Sequence, residues 1–152
     1  MWRSLSSRTR KGFTLVELAV VIVIIGVLAA FGVPRFLKSV ERTKASEAFA
    51  YLAAVRSAQE RYIAKEGIYA DAVSDLDIVQ VAPKNFNDPT TIITSSAAGI
   101  PKWKLTLTRN SSTSSYGAYT VCFTQNGFAG ESTILTGVAT DISPLGSGTA
   151  SD

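Results

Sequence analysis

The chain has 152 residues, 46% of them hydrophobic, with 15 bases, 12 acids and no histidine. The length predicts one globular domain with an accessory segment, and the lack of histidine removes the commonest general base and the commonest metal ligand. A single cysteine, Cys122, excludes an intrachain disulfide.

Residues 1–12 hold Arg3, Arg8, Arg10 and Lys11 and no acid. A basic start of this kind stays on the cytoplasmic side of a membrane, so the bulk of the chain is expected to face outward. Behind it, Phe13 to Val33 is a run of 21 residues whose only charge is Glu17. A helix of that length covers about 30 Å, one bilayer core. A carboxylate inside it costs about 2.5–3.5 kcal/mol on insertion scales, so its presence calls for a reason. A plain membrane anchor is one reading. A secretory signal peptide cut near Ala30 or Gly32 is another, although the run is long for one and Pro34 follows the cut. In either case Thr14-Leu15-Val16-Glu17 has the spacing of a capping box, which places an acid near a helix start without any further role.

The order Lys11-Gly12-Phe13-Thr14-Leu15-Val16-Glu17, with its basic leader and apolar run, resembles the processing motif of type IV prepilins and of type II secretion pseudopilins. The resemblance is specific from Arg10 to about Phe36 and general beyond. It implies that a prepilin peptidase cuts after Gly12, that the new terminus Phe13 is N-methylated, and that Glu17 neutralises that amine in a neighbouring subunit. It implies as partners further copies of the chain, the peptidase and an inner-membrane assembly platform. Physics is consistent with the pairing: a buried ammonium and a buried carboxylate are each costly alone, and together they offset one another and fix the axial register of packed helices. In filaments of this family the segment matched by Gly26 and Pro34 unwinds. Many type IV pilins also staple their carboxyl-terminal region with a disulfide, which a chain with one cysteine lacks. Its head is expected to hold by packing, or with help from an ion.

Pro34 lacks a backbone donor and Gly26 and Gly32 weaken the same stretch, which predicts a kink near residues 30–34; the glycines also suit close helix packing in lipid. Beyond the run, Phe36, Leu37, Val40, Ala48, Phe49, Leu52, Val55, Tyr62 and Ile63 recur at three- and four-residue steps, predicting an amphipathic helix that ends at Gly67. The whole helix, from Thr14 to Glu66, would be about 80 Å long. Residues 35–66 carry seven bases and four acids, residues 67–152 four bases and seven acids. A basic stalk and an acidic head point to attraction between subunits rather than to nucleic acid.

Residues 67–81 read as a loop with a helical turn at Ala72 to Leu76. Asp71, Asp75 and Asp77 invite a calcium reading, yet their spacing matches no EF-hand, and oxygen-rich turns are common without metal. Major secretion pseudopilins bind calcium, which keeps that cofactor in view; otherwise no cofactor is expected. Lys102 to Thr108 alternates as a strand, and Tyr119, Val121 and Phe123 form one face of a second, with RNSSTSS at 109–115 as a hairpin connection. Thr90 to Thr94 and Ile134 to Val138 are weaker strands. Lys102-Trp103-Lys104 resembles a nucleic-acid patch, but alternation turns the tryptophan away from the lysines, as in an ordinary half-buried strand. Cys122, opposite the Tyr119 and Phe123 face, is expected to be a partly exposed filler.

These readings combine into an α+β, pilin-like fold: leader 1–12, membrane and assembly helix 13–34, amphipathic helix 35–66, antiparallel sheet head 67–142 and a flexible polar tail 143–152. The function expected is that of a structural subunit of a type IV pilus-like filament, held in a bacterial inner membrane with its head outside the cytoplasm and then polymerised into a periplasmic or surface filament. A type II secretion pseudopilin is the alternative, and a membrane-anchored binding module the rival from another class. No nucleophile with a base, phosphate loop or metal cluster points to an enzyme.

Overall fold

The computed structural model describes residues 12–87, 89, 91–96, 100–135 and 141–145. The chain divides into two units, 1–36 and 37–152. One helix, α1 (Leu15–Glu66), contributes to both.

In the first unit the large apolar side chains of α1 are exposed from Leu15 to Phe36. The helix is long and apolar enough to cross a membrane. It is continuous through Gly26, Gly32 and Pro34, although Pro34 has no N–H to offer the preceding turn. The resemblance ties unwinding of this segment to the filament, and the single chain keeps it helical.

In the second unit α1 packs on an antiparallel sheet of order β1 (Ile93–Ser95), β2 (Lys102–Thr108), β3 (Thr120–Thr124) and β4 (Gly127–Phe128). The register of the central pair places Leu105 opposite Phe123 and Leu107 opposite Val121. Strand β2 alternates as its sequence requires, with Trp103, Leu105 and Leu107 buried. These meet Ala48, Leu52 and Val55 of α1 in one core, and Phe49 of the helix meets Phe123 edge-on at 5.8 Å and Phe128 at a tilt at 4.9 Å between ring centres. The helix stops at Gly67, whose φ of 79° suits glycine and whose N–H donates to the Ile63 carbonyl. The Gln59 side chain then pairs with both backbone groups of Ala70, donating at 2.8 Å and accepting at 3.0 Å, and so fixes where the chain leaves the helix. A single 3-10 turn, Val73–Asp75, follows, within the turn expected at 72–76.

Four elements differ from expectation. Phe36 and Leu37 are 67% and 44% exposed; the buried stripe of α1 begins at Glu41, because the sheet and its loops reach the helix only from there. Strand β4 is additional, set by a two-residue reversal at Gln125 and Asn126 before Gly127. Thr133–Leu135 is a 3-10 turn instead of the start of a strand, and 136–138 lie outside the described residues. The early edge strand is Ile93–Ser95, with Thr91 bridging to Ala72 and Thr90 outside the described residues.

Cys122 is buried, at 2% exposure, instead of partly exposed. Residues 129–133 fold over the outer face of β3: Ser132 Oγ accepts from the Cys122 N–H at 2.9 Å, and the Ala129 N–H donates to the Cys122 carbonyl. Ile142 and Ser143 are also buried, so packing reaches the start of the segment expected as a tail. Residues 146–152 lie outside the described ones.

Candidate assembly site

Gly12, Phe13 and Thr14 precede α1, and Glu17 sits in its first turn. The Thr14 N–H and hydroxyl both donate to Glu17 Oε2, at 2.9 and 2.8 Å, and the Glu17 N–H donates back to Thr14 Oγ1 at 3.2 Å. The capping box read from the sequence therefore forms. It satisfies helix-end donors and turns the carboxylate toward the amino-terminal end, where the helix dipole also favours an anion. Among the described residues Glu17 Oε1 takes no partner, so the carboxylate keeps an oxygen for a donor from outside. Phe13 is 85% exposed and Glu17 is exposed. The structure thus brings Gly12, Phe13 and Glu17 to one helix end. Gly26 and Pro34 lie further along the same apolar helix. Residues 1–11 lie outside the described residues.

A second charged constellation, which the sequence reading missed, lies within the head. Arg109 Nε and Nη2 donate to Glu41 Oε1 and Oε2 at 2.6 and 3.2 Å. Tyr119 donates its hydroxyl to Oε1 at 3.1 Å, and Lys44 Nζ lies 3.4 Å from Oε2. The remaining guanidinium donors reach the carbonyls of Asn85, Asn110 and Thr113 and the Thr113 hydroxyl at 2.8–3.0 Å. Glu41 and Arg109 are 4% and 1% exposed. Burial alone pushes the Glu41 carboxyl up, but Arg109, with Lys44 and Tyr119, outweighs it and holds the group below the ordinary range. Tyr119 is pushed up by burial and by the charge of Glu41. The signal was present: continuing the inward alternation Trp103, Leu105, Leu107 lands on Arg109. Glu41 begins the helix stripe that continues at Ala45 and Ala48.

The acids of the 67–81 loop do not converge. Arg61 forks onto Asp77 at 3.0 and 2.7 Å, and among the described residues no group of three His, Cys, Asp or Glu side chains is placed to hold a metal ion. Trp103 is 1% exposed, and Lys104 pairs with Glu131, so the Lys-Trp-Lys segment offers no ring for base stacking.

The family described as the prokaryotic N-terminal methylation motif matches residues 7–33. The chain is 41% identical over 66 residues to the type IV major pilin protein PilA of Myxococcus xanthus, covering 43% of this chain and 30% of that one. It is 56% identical over 48 residues to the type IV narrow pilus major component of Thermus thermophilus, covering 32% of this chain and 41% of the relative. It is 33% identical over 78 residues to the type II secretion system core protein G of Vibrio cholerae, covering 51% of this chain and 53% of that one. The chain thus spans about half or less of the length of these relatives. No solved structure matches.

Proposed function

The chain is a member of the type IV pilin and pseudopilin family, and on that premise we propose that it is a structural subunit of a type IV pilus-like filament. It waits in the inner membrane through residues 13–34. A prepilin peptidase cuts between Gly12 and Phe13 and methylates Phe13, and an inner-membrane assembly platform draws the subunit into the filament. The observation that carries the reading is the exposed apolar helix with one carboxylate at its start. Such a surface is tolerable only in lipid or among copies of itself. Leaving the membrane for the filament, Glu17 exchanges lipid surroundings for the amine of an adjoining Phe13, and the pair offsets two desolvation costs.

The experiment is Glu17→Ala in cells that make the filament. The variant should insert in the membrane and be cleaved, with filaments absent from sheared surface material by electron microscopy. Mass spectrometry of the wild-type subunit should find a methylated Phe13 as first residue. Normal filaments from the variant, or another first residue, would overturn the proposal.

A pseudopilin of a type II secretion system is the second reading. It is favoured by the similarity to a secretion core protein, which extends over 78 residues.

A further inference from the structure

We propose that the Glu41–Arg109 pair is a charge clasp that holds the connection 110–118 against α1, so that this corner of the head opens as a unit when Glu41 loses its charge while the core stays closed. The inference concerns the head and stands independently of the filament reading.

The connection packs against the core through Tyr116. Asn110 to Thr113, Ser115, Gly117 and Ala118 are exposed, and Ser114 and Tyr116 are half-buried. Besides that ring and the Asn110 N–H on the Asn85 carbonyl, its tethers to the head run through the clasp. Arg109 donates to the Asn110 and Thr113 carbonyls and to the Thr113 hydroxyl, while Ser114 Oγ lies 3.4 Å from Glu41 Oε1. The Tyr119 hydroxyl closes the far end of the connection on the same carboxylate oxygen. Thus one buried carboxylate orients the guanidinium that holds the connection. The groups facing Glu41 are Arg109 at the end of β2, Tyr119 at the entry to β3, and Lys44 one turn along α1. Two cations and a phenol hydroxyl all favour the ionised form. Because the folded value lies below the ordinary one of 4.5, the stabilisation is present above that value. It is lost as pH falls through the folded value.

The contrast lies in the neighbouring core. Leu52, Val55, Leu107 and Val121 are fully buried and apolar, and titrate nothing. Neutralising Glu41 therefore removes the hold on 110–118 and leaves the contacts of α1 with β2 and β3 in place.

The test is hydrogen exchange read by mass spectrometry on the full chain in detergent micelles at neutral pH, comparing wild type with Glu41→Gln and Arg109→Lys. In both variants peptides covering 110–118 should exchange about tenfold faster or more, the scale of losing hydrogen bonds to a charged group. Peptides from 48–58 and 121–124 should stay strongly protected, far slower than those from 110–118. The wild-type chain, taken below the folded value of Glu41 and corrected for intrinsic exchange, should show the same local pattern. Unchanged rates over 110–118 would overturn the clasp. Loss of protection over 48–58 and 121–124 as complete as over 110–118, or failure of both variants to fold, would overturn its local character.

Discussion

Replacing Gln59 by leucine isolates what one buried amide contributes to the head. Gln59 is fully buried and Ala70 is 3% exposed. The amide gives the Ala70 carbonyl its donor at 2.8 Å and takes the Ala70 N–H at 3.0 Å. Leucine has a similar volume, so packing changes little, but both backbone groups of Ala70 lose their partners in a dry site. Each orphaned group costs about 1–3 kcal/mol, which sums to about 2–6 kcal/mol against a typical total of about 5–15. Urea unfolding of the full chain in micelles, followed by Trp103 emission, measures it, since that ring lies 6.5 Å from Tyr69, next to Ala70. Gln59→Glu supplies the control. Its protonated form can replace both bonds, whereas its ionised form faces the Ala70 carbonyl with a charge. The folded value is thereby raised above about 4.3, and the variant should be most stable below that pH and weaken as pH rises. A leucine variant within about 1 kcal/mol of wild type, or a glutamate variant without this pH dependence, would refute the reasoning.

Arg109→Met leaves Glu41 buried without its counterion and should cost about 3–5 kcal/mol by thermal unfolding; adding Glu41→Met should recover at least about 2 kcal/mol, and strict additivity would disprove the coupling. Burial pushes the Cys122 thiol up, so a maleimide should label the native chain at least about a hundredfold more slowly than the urea-unfolded one. Gly67→Ala meets no atom within 4 Å but must adopt a φ of 79°, so it should cost about 1 kcal/mol, all of it conformational, by the same urea assay.

The apolar run, its acid, the helix to Glu66 and strands β2 and β3 were legible because each rests on local periodicity or on a compact motif. The Thr14–Glu17 box needs only a helical turn, and it formed as its spacing implied. The helix stripe was read too far toward its start: Phe36 and Leu37 fit the helical period, but period does not tell how far a sheet extends to cover it.

What only tertiary structure decided is which groups pair across the chain. Glu41 and Arg109 are 68 residues apart, and as single letters they read as ordinary surface charges. They became a buried pair because the alternation of β2 and the turn of α1 aim both at one point inside the head. Cys122 was judged from its strand alone, yet residues 129–133 decide its burial, and nothing in the alternation of β3 encodes what folds over the strand's outer face. The sequence determined a greasy helix carrying one acid, because hydropathy and spacing are properties of neighbours along the chain. The chain's return on itself determined the charge that holds the head shut, because partners distant in sequence are chosen only when the backbone closes.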